Sequence, residues 1–230
     1  TELDSEPLAP MGFRRWPVDF EPPVWPENLS VSTLNLSSTE LDAEPQQPTA
    51  QGGDPYARAL GIVIHRELER LARQAELPLE IDESVTRCWR QGLLLEGVPR
   101  ERCDTYLERV RAAVQRTLYD ERGRWILARR DERDGIELAL TGKVAGRIVN
   151  VVIDRCFVEA GQRWVIDYKT AVPTDDNLAA FLDAQCEAHR AQLERYSNLL
   201  TRFGPEPVRA ALYFPSLGRF VELHELNSPR

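Results

Sequence analysis

The chain has 230 residues, of which 42% are hydrophobic and 29% are charged, and its net charge is −8. These values are typical of a globular domain, and no apolar run approaches the length that a membrane span needs. The acidic balance argues against a protein that grips phosphates with a broad basic face, because counterion release supplies most of that affinity. With no secretory signal visible, we expect a cytoplasmic protein.

The first part of the chain has the composition of a linker. Eight of the 16 prolines fall within the first 48 positions, and Gly52-Gly53 closes this stretch. We therefore assign residues 1–53 to an extended linker and residues 54–226 to a folded domain. The aromatic segment 13–26, which contains Phe13-Arg14-Arg15-Trp16-Pro17, is expected to pack as an extended strap on the domain or on a neighbour outside this chain. Because the chain starts at Thr1 rather than Met, we expect it to be part of a longer protein.

From Asp54 onward, apolar residues recur with helical spacing. Leu60, Ile64, Leu68 and Leu71 would share one face of a first helix, which Asp54-Pro55 would begin. The same spacing predicts further helices over 83–95, 99–119 and 176–202. The third of these would bury Tyr106, Val110, Val114 and Leu118.

Short runs rich in β-branched and aromatic residues predict the strands. One strand-like run covers 137–140, and a hairpin with Gly161 in its turn covers 147–170. A second hairpin would pair 208–214 with 219–223. The order of helices, strands, one helix and closing strands indicates a mixed sheet with helices packed on it.

Asp154 and Asp167-Tyr168-Lys169 follow the two apolar runs of the first hairpin, so the hairpin should bring two carboxylates and an ammonium together. A hard divalent cation would explain the carboxylates, and a metal-activated water would explain the lysine. Only Lys143 and Lys169 of the 29 basic residues are lysines, so a compact point charge is favoured at position 169. The structural alternative is a salt bridge at the end of a strand.

Five further polar positions are candidates, and each has an ordinary structural explanation. His65 on the first helix could be a ligand or a core histidine, and Glu69 one turn later fits better as a solvated charge beside arginines. Gln192 and Tyr196 are an i, i+4 pair. Both could line a site, or Tyr196 could pack in the core while Gln192 faces water. Glu137 is either an exposed strand residue or a third carboxylate at the metal.

In chain order, these motifs resemble the PD-(D/E)XK nucleases. More narrowly they resemble the RecB/AddA-type nuclease domain at the C-terminus of UvrD-like DNA helicases. The resemblance covers about residues 54–224 and rests on Gly61-x-x-x-His65, Ile153-Asp154-Arg155, Asp167-Tyr168-Lys169-Thr170 and Gln192-Leu193-Glu194-Arg195-Tyr196. It implies an α/β fold with a restriction-endonuclease-like mixed β-sheet flanked by α-helices.

The resemblance also implies roles for single residues. Lys169, Asp154 and Asp167 would be catalytic, with Lys169 positioning the attacking water. Gln192 and Tyr196 would support the site or contact DNA. The metal would be Mg²⁺, or else Mn²⁺, and its ligands would be His65, Asp154, Asp167, the main-chain carbonyl of Tyr168 and, as an additional candidate, Glu137. The cysteines do not fall where related nucleases hold an iron–sulfur cluster, so none is expected.

The implied function is exonuclease-type DNA hydrolysis by the C-terminal domain of a helicase-nuclease in double-strand-break repair and recombination. A helicase core in the same chain, and a possible partner subunit, would deliver a single-stranded end, which would explain the acidic balance. One alternative is a catalytically silent module that binds DNA or a partner. Another is a metal-dependent hydrolase of a small phosphorylated substrate, although the sequence has no Gly-rich phosphate loop.

Overall fold

The computed structural model describes residues 54–130, 134–144 and 147–223. The predicted linker and its aromatic strap lie outside these residues. Within them no helix combines the length and the apolarity that crossing a membrane requires. The elements are α1 (Ala57–Ala72), α2 (Glu83–Leu95), α3 (Arg100–Tyr119), α4 (Glu121–Leu127), β1 (Gly135–Val144), β2 (Arg147–Glu159), β3 (Gln162–Tyr168), α5 (Leu178–Leu200), β4 (Val208–Phe214) and β5 (Arg219–Leu223).

The helical predictions are confirmed with two differences. The predicted apolar faces of α1 and α3 are buried in one core. However, Asp54 does not cap α1; its carboxylate accepts hydrogen bonds from the Tyr56 amide, the Tyr106 hydroxyl and Arg109 instead. The sequence analysis also missed α4, a helix of seven residues whose N-terminus is capped by Asp120, which accepts from the Gly123 amide at 2.9 Å.

The five strands form one mixed sheet in the order β1-β2-β3-β4-β5. All neighbours are antiparallel except β3 and β4, which are parallel. Parallel neighbours need a crossover connection, and α5 provides it. The turn between β2 and β3 includes Gly161 in the left-handed region at φ +73°, as the sequence predicted. The α/β mixed-sheet prediction is therefore confirmed.

The sheet separates two apolar cores. Trp164, Ile166 and Tyr168 of β3 face the core formed by α1–α4, whereas Val165 faces the core beneath α5. Alternate residues of a strand point to opposite sides. Asp167 therefore lies on the α5 side of β3 and Tyr168 on the α1 side, which places the predicted site between the two helical layers.

Asp154 follows the apolar run 148–153 but lies inside β2, which spans 13 residues and extends to Glu159. The next residue, Arg155, is completely buried. Its guanidinium donates to the carbonyls of Ile126 and Ala128 at 2.9 Å each, donates to the carbonyl of Gly135 at 3.1 Å and pairs with Asp134. The strand continues through this charge because the end of α4, the segment after it and the start of β1 supply its partners.

Candidate active site

The two predicted carboxylates lie where strands β2 and β3 separate. The last paired residues of this ladder are Arg155 and Ile166. Asp154 and Asp167 are the next residues on their strands, and no backbone pairing joins the two strands at this position. Diverging strands leave space between them for side chains and a ligand, which a continuous ladder would fill.

Strand β2 also changes its face at Asp154. Ile153 packs in the core beneath α5, whereas Arg155 reaches the carbonyls after α4 on the opposite side. Two residues of equal parity would face the same side in a regular strand, so the backbone twists at Asp154. The register of β1 places Glu137 opposite this position, and Glu137 has a φ of +49°. Left-handed backbone at a non-glycine residue is strained and is concentrated at functional sites.

Asp154 is held by main-chain and side-chain groups from two other elements. Its Oδ2 accepts a hydrogen bond from the Tyr168 amide at 2.6 Å, and its Oδ1 lies 3.8 Å from His65 Nδ1. Burial raises the pKa of this carboxyl well above its usual range, and the nearby Asp167 and Glu137 charges raise it further. The site thus holds negative charge that nearby cations compensate incompletely.

Asp167 and Lys169 form the centre of the site. Asp167 is only 4% exposed, and its Oδ2 lies 2.8 Å from Lys169 Nζ. That oxygen is buried, and among the described residues it makes no hydrogen bond of good geometry, so the Lys169 ammonium is the group that compensates it there. Lys169 also donates a long hydrogen bond of 3.5 Å to Gln192 Oε1. Gln192 in turn donates to the Tyr196 hydroxyl at 2.7 Å.

Gln192 and Tyr196 therefore join the site from α5. Tyr196 is buried at 6% exposure, as expected if it packs in the core. Gln192, however, faces Lys169 rather than water. Burial raises the pKa of the Tyr196 hydroxyl, and the Asp167 charge adds to this effect. Tyr196 consequently stays protonated and can act as a hydrogen-bond donor or acceptor but not as a base.

His65 reaches the site from α1. Its ring packs edge-on against the Tyr168 ring, with 5.7 Å between the centroids. Burial lowers its pKa and Lys169 lowers it further, while Asp167 and a hydrogen bond with the Tyr168 main chain oppose them. A neutral imidazole is the form that binds metals. Gly61, one turn earlier, allows this approach, since a Cβ there would lie 3.0 Å from Thr170 Oγ1.

Glu137 and Glu69 lie at the margin of the site. Glu69 forms an ion pair of 2.7 Å with Arg73, in agreement with the solvated-charge interpretation. Burial raises the pKa of Glu137, and Glu69 and Asp167 raise it too, although Arg73 opposes them. The charges of the site therefore act on Glu137, which remains a candidate additional ligand.

The sequence analysis missed one buried group beside the site, His189 on α5. It is 2% exposed, and neither ring nitrogen makes a hydrogen bond of good geometry. Burial lowers its pKa, as does the charge of Lys169, whereas Asp167 and Gln192 raise it. A signal was present, because His189, Gln192 and Tyr196 follow the i, i+3, i+7 spacing of one helix face.

The structure brings all of the sequence-predicted site residues to one region, but it does not hold them ready for a metal. Among the described residues, no group of three or more His, Cys, Asp or Glu side chains is arranged to hold an ion. Lys169 lies against the Asp167 oxygen that would bind it. The donor set still fits a hard divalent cation, which would offset the repulsion between the two aspartates.

A comparison with protein-family profiles matches residues 38–225 to the PD-(D/E)XK nuclease superfamily. The chain belongs to this superfamily. The five-stranded mixed sheet flanked by helices agrees with its restriction-endonuclease-like fold. A search of curated proteins found no match. The family profile begins within the segment that the sequence predicted to be a linker.

Proposed function

We propose that this PD-(D/E)XK nuclease is a Mg²⁺-dependent deoxyribonuclease that hydrolyses phosphodiester bonds, with Lys169, Asp154 and Asp167 as its catalytic residues. The observation that carries the proposal is the meeting of these three side chains where β2 and β3 diverge. The Asp167–Lys169 distance of 2.8 Å and the shared burial of both side chains support a built site rather than a surface ion pair.

The metal would be held by Asp154, Asp167, His65 and the main-chain carbonyl of Tyr168. Glu137 is the candidate fifth ligand, and Mn²⁺ is an acceptable substitute because imidazole and carboxylate suit it. When bound, a divalent ion supplies charge neutralisation at the phosphate and lowers the pKa of water.

The protein's own residues supply the remaining chemistry. The Lys169 ammonium donates hydrogen bonds that orient the attacking water and stabilise negative charge developing on the phosphate oxygens. Its side chain is 12% exposed, so this charge acts through little water and is stronger than at the surface. Gln192 holds the ammonium from α5, and Tyr196 holds Gln192.

The biological context follows from the motif order that the chain shares with RecB/AddA-type domains. In this proposal the domain is an exonuclease at the C-terminus of a helicase-nuclease that acts in double-strand-break repair and recombination. A helicase motor in the same chain, with or without a partner subunit, delivers a single-stranded DNA end. The net charge of −8 supports this arrangement, since the motor would provide the affinity for DNA.

The test is cleavage of end-labelled linear DNA, single- and double-stranded, with Mg²⁺, with Mn²⁺ and with EDTA. Lys169→Met and Asp167→Asn should each lower the rate by about a hundredfold or more, as the loss of a charge-stabilising group does. Lys143→Arg, at the other lysine, is the matched control and should retain activity. Equal cleavage by all four proteins would contradict the proposal. Metal binding without any cleavage would favour the catalytically silent module instead.

A further inference from the structure

Lys169 has a second position open to it, on the side of α5. In the structure its ammonium is ion-paired with Asp167 Oδ2 at 2.8 Å, and its bond to Gln192 is long at 3.5 Å. An ammonium has three donors, and a carboxylate that pairs with it is less free to ligate a cation. Asp167 Oδ2 therefore becomes a better metal ligand when Lys169 finds acceptors elsewhere.

His189 supplies an acceptor in the right place. Its imidazole is buried at 2% exposure, and neither ring nitrogen makes a hydrogen bond of good geometry, although Gln192 is near enough to interact with the ring. His189 stands one turn before Gln192 on α5, and Gln192 Oε1 lies 3.5 Å from the Lys169 ammonium. Burial keeps the ring neutral, so one nitrogen retains a lone pair.

We infer that His189 is a positioning residue for Lys169: when a divalent cation binds the aspartates, the ammonium leaves Asp167 and is held by His189 together with Gln192. This inference rests on the proposed metal site. It accounts for the lack of a well-formed hydrogen bond at the imidazole and for the long Lys169–Gln192 bond. The same movement would bring the Lys169 ammonium to the α5 side of the site.

The composition of the chain provides a direct assay. Since Lys143 and Lys169 are its only lysines, a Lys143→Arg protein labelled with ¹³C-lysine gives a single εCH₂ signal. Titration with Mg²⁺, which is diamagnetic, reports the movement of Lys169 and the Mg²⁺ dissociation constant in one experiment without any need for activity. His189→Gln keeps a hydrogen-bond acceptor in this background, whereas His189→Met has a similar length and provides only a weak one.

We expect Mg²⁺ to shift the Lys169 signal in the parent and in His189→Gln. In His189→Met the shift should be smaller and the Mg²⁺ affinity about tenfold weaker, in the range found for residues that orient metal-site groups. Ser197→Ala is the control, since Ser197 is also a buried residue of α5 with an unpaired hydroxyl and should change neither value.

Two results would overturn the inference while leaving the metal site intact: His189→Met behaving like the parent, or His189→Gln losing as much as His189→Met, which would indicate packing alone. If Mg²⁺ leaves the parent signal unchanged and does not bind, the proposed metal site fails and the inference fails with it. Circular dichroism of each variant separates these outcomes from misfolding.

Discussion

Replacing Asp154 with asparagine should stabilise the metal-free domain, although it should abolish the proposed activity. The amide oxygen can still accept the hydrogen bond that the Tyr168 amide donates at 2.6 Å. What the substitution removes is a buried charge that Asp167 and Glu137 both repel. Stabilising substitutions commonly raise the free energy of unfolding by about 0.5–2 kcal/mol, and we expect Asp154→Asn to fall in this range.

The stabilisation by Asp154→Asn should depend on pH in a definite direction. Because burial raises the pKa of Asp154, the folded state binds this proton more tightly than the unfolded state does. The free energy of unfolding of the metal-free wild type therefore falls as pH rises above the unfolded pKa of about 3.9. The advantage of Asp154→Asn should be absent near pH 4 and grow as pH rises through the raised pKa of the folded protein.

The matched control is Asp134, an aspartate outside the proposed metal site. It pairs with Arg155, and the two side chains are 8% and 0% exposed. Breaking such a pair leaves a buried guanidinium uncompensated, so Asp134→Asn should cost about 3–5 kcal/mol. Urea unfolding in EDTA at pH 4, 6 and 8 measures both variants. Equal destabilisation by both at every pH would refute the reasoning, because Asp154 would then be an ordinary structural carboxylate.

Three further changes test other parts of the structure. Gly61→Ala should weaken Mg²⁺ binding in a calorimetric titration, because its Cβ would lie 3.0 Å from Thr170 Oγ1 and push the helix that carries His65 outward. Adding Thr170→Ala should restore the affinity, and a double variant that does not recover would contradict this contact. Tyr196→Phe should lower the cleavage rate more than the stability, because it removes a partner of Gln192 while leaving the ring packed; unchanged cleavage kinetics would exclude the support role. Leu68→Ala should cost about 2–5 kcal/mol in urea unfolding because Leu68 is 0% exposed, and a smaller loss would mean that the core beneath α1 is loosely packed.

Local patterns in the sequence predicted most of the elements that carry the site. The apolar runs 208–214 and 219–223 gave both strands of the closing hairpin at their observed bounds. The apolar spacing gave α1, α3 and α5 to within a few residues. These signals are sufficient because one buried face per element repeats with the period of the helix or strand.

The misses have a long-range cause. The burial of Arg155 inside β2 could not be predicted, because its partners, which include the Ile126 and Ala128 carbonyls and Asp134, come from distant segments. His189 was overlooked although its i, i+3, i+7 spacing with Gln192 and Tyr196 indicates a shared helix face. Its burial depends on α5 lying over β3 and β4, which the local sequence does not show.

The most direct test of the account is a crystal structure of the domain grown with Mn²⁺ and measured for its anomalous signal. The account predicts one peak between the Asp154 and Asp167 carboxylates, within coordination distance of His65 and the Tyr168 carbonyl, where β2 and β3 diverge. A peak elsewhere on the domain, or none in this cleft at saturating Mn²⁺, would contradict it.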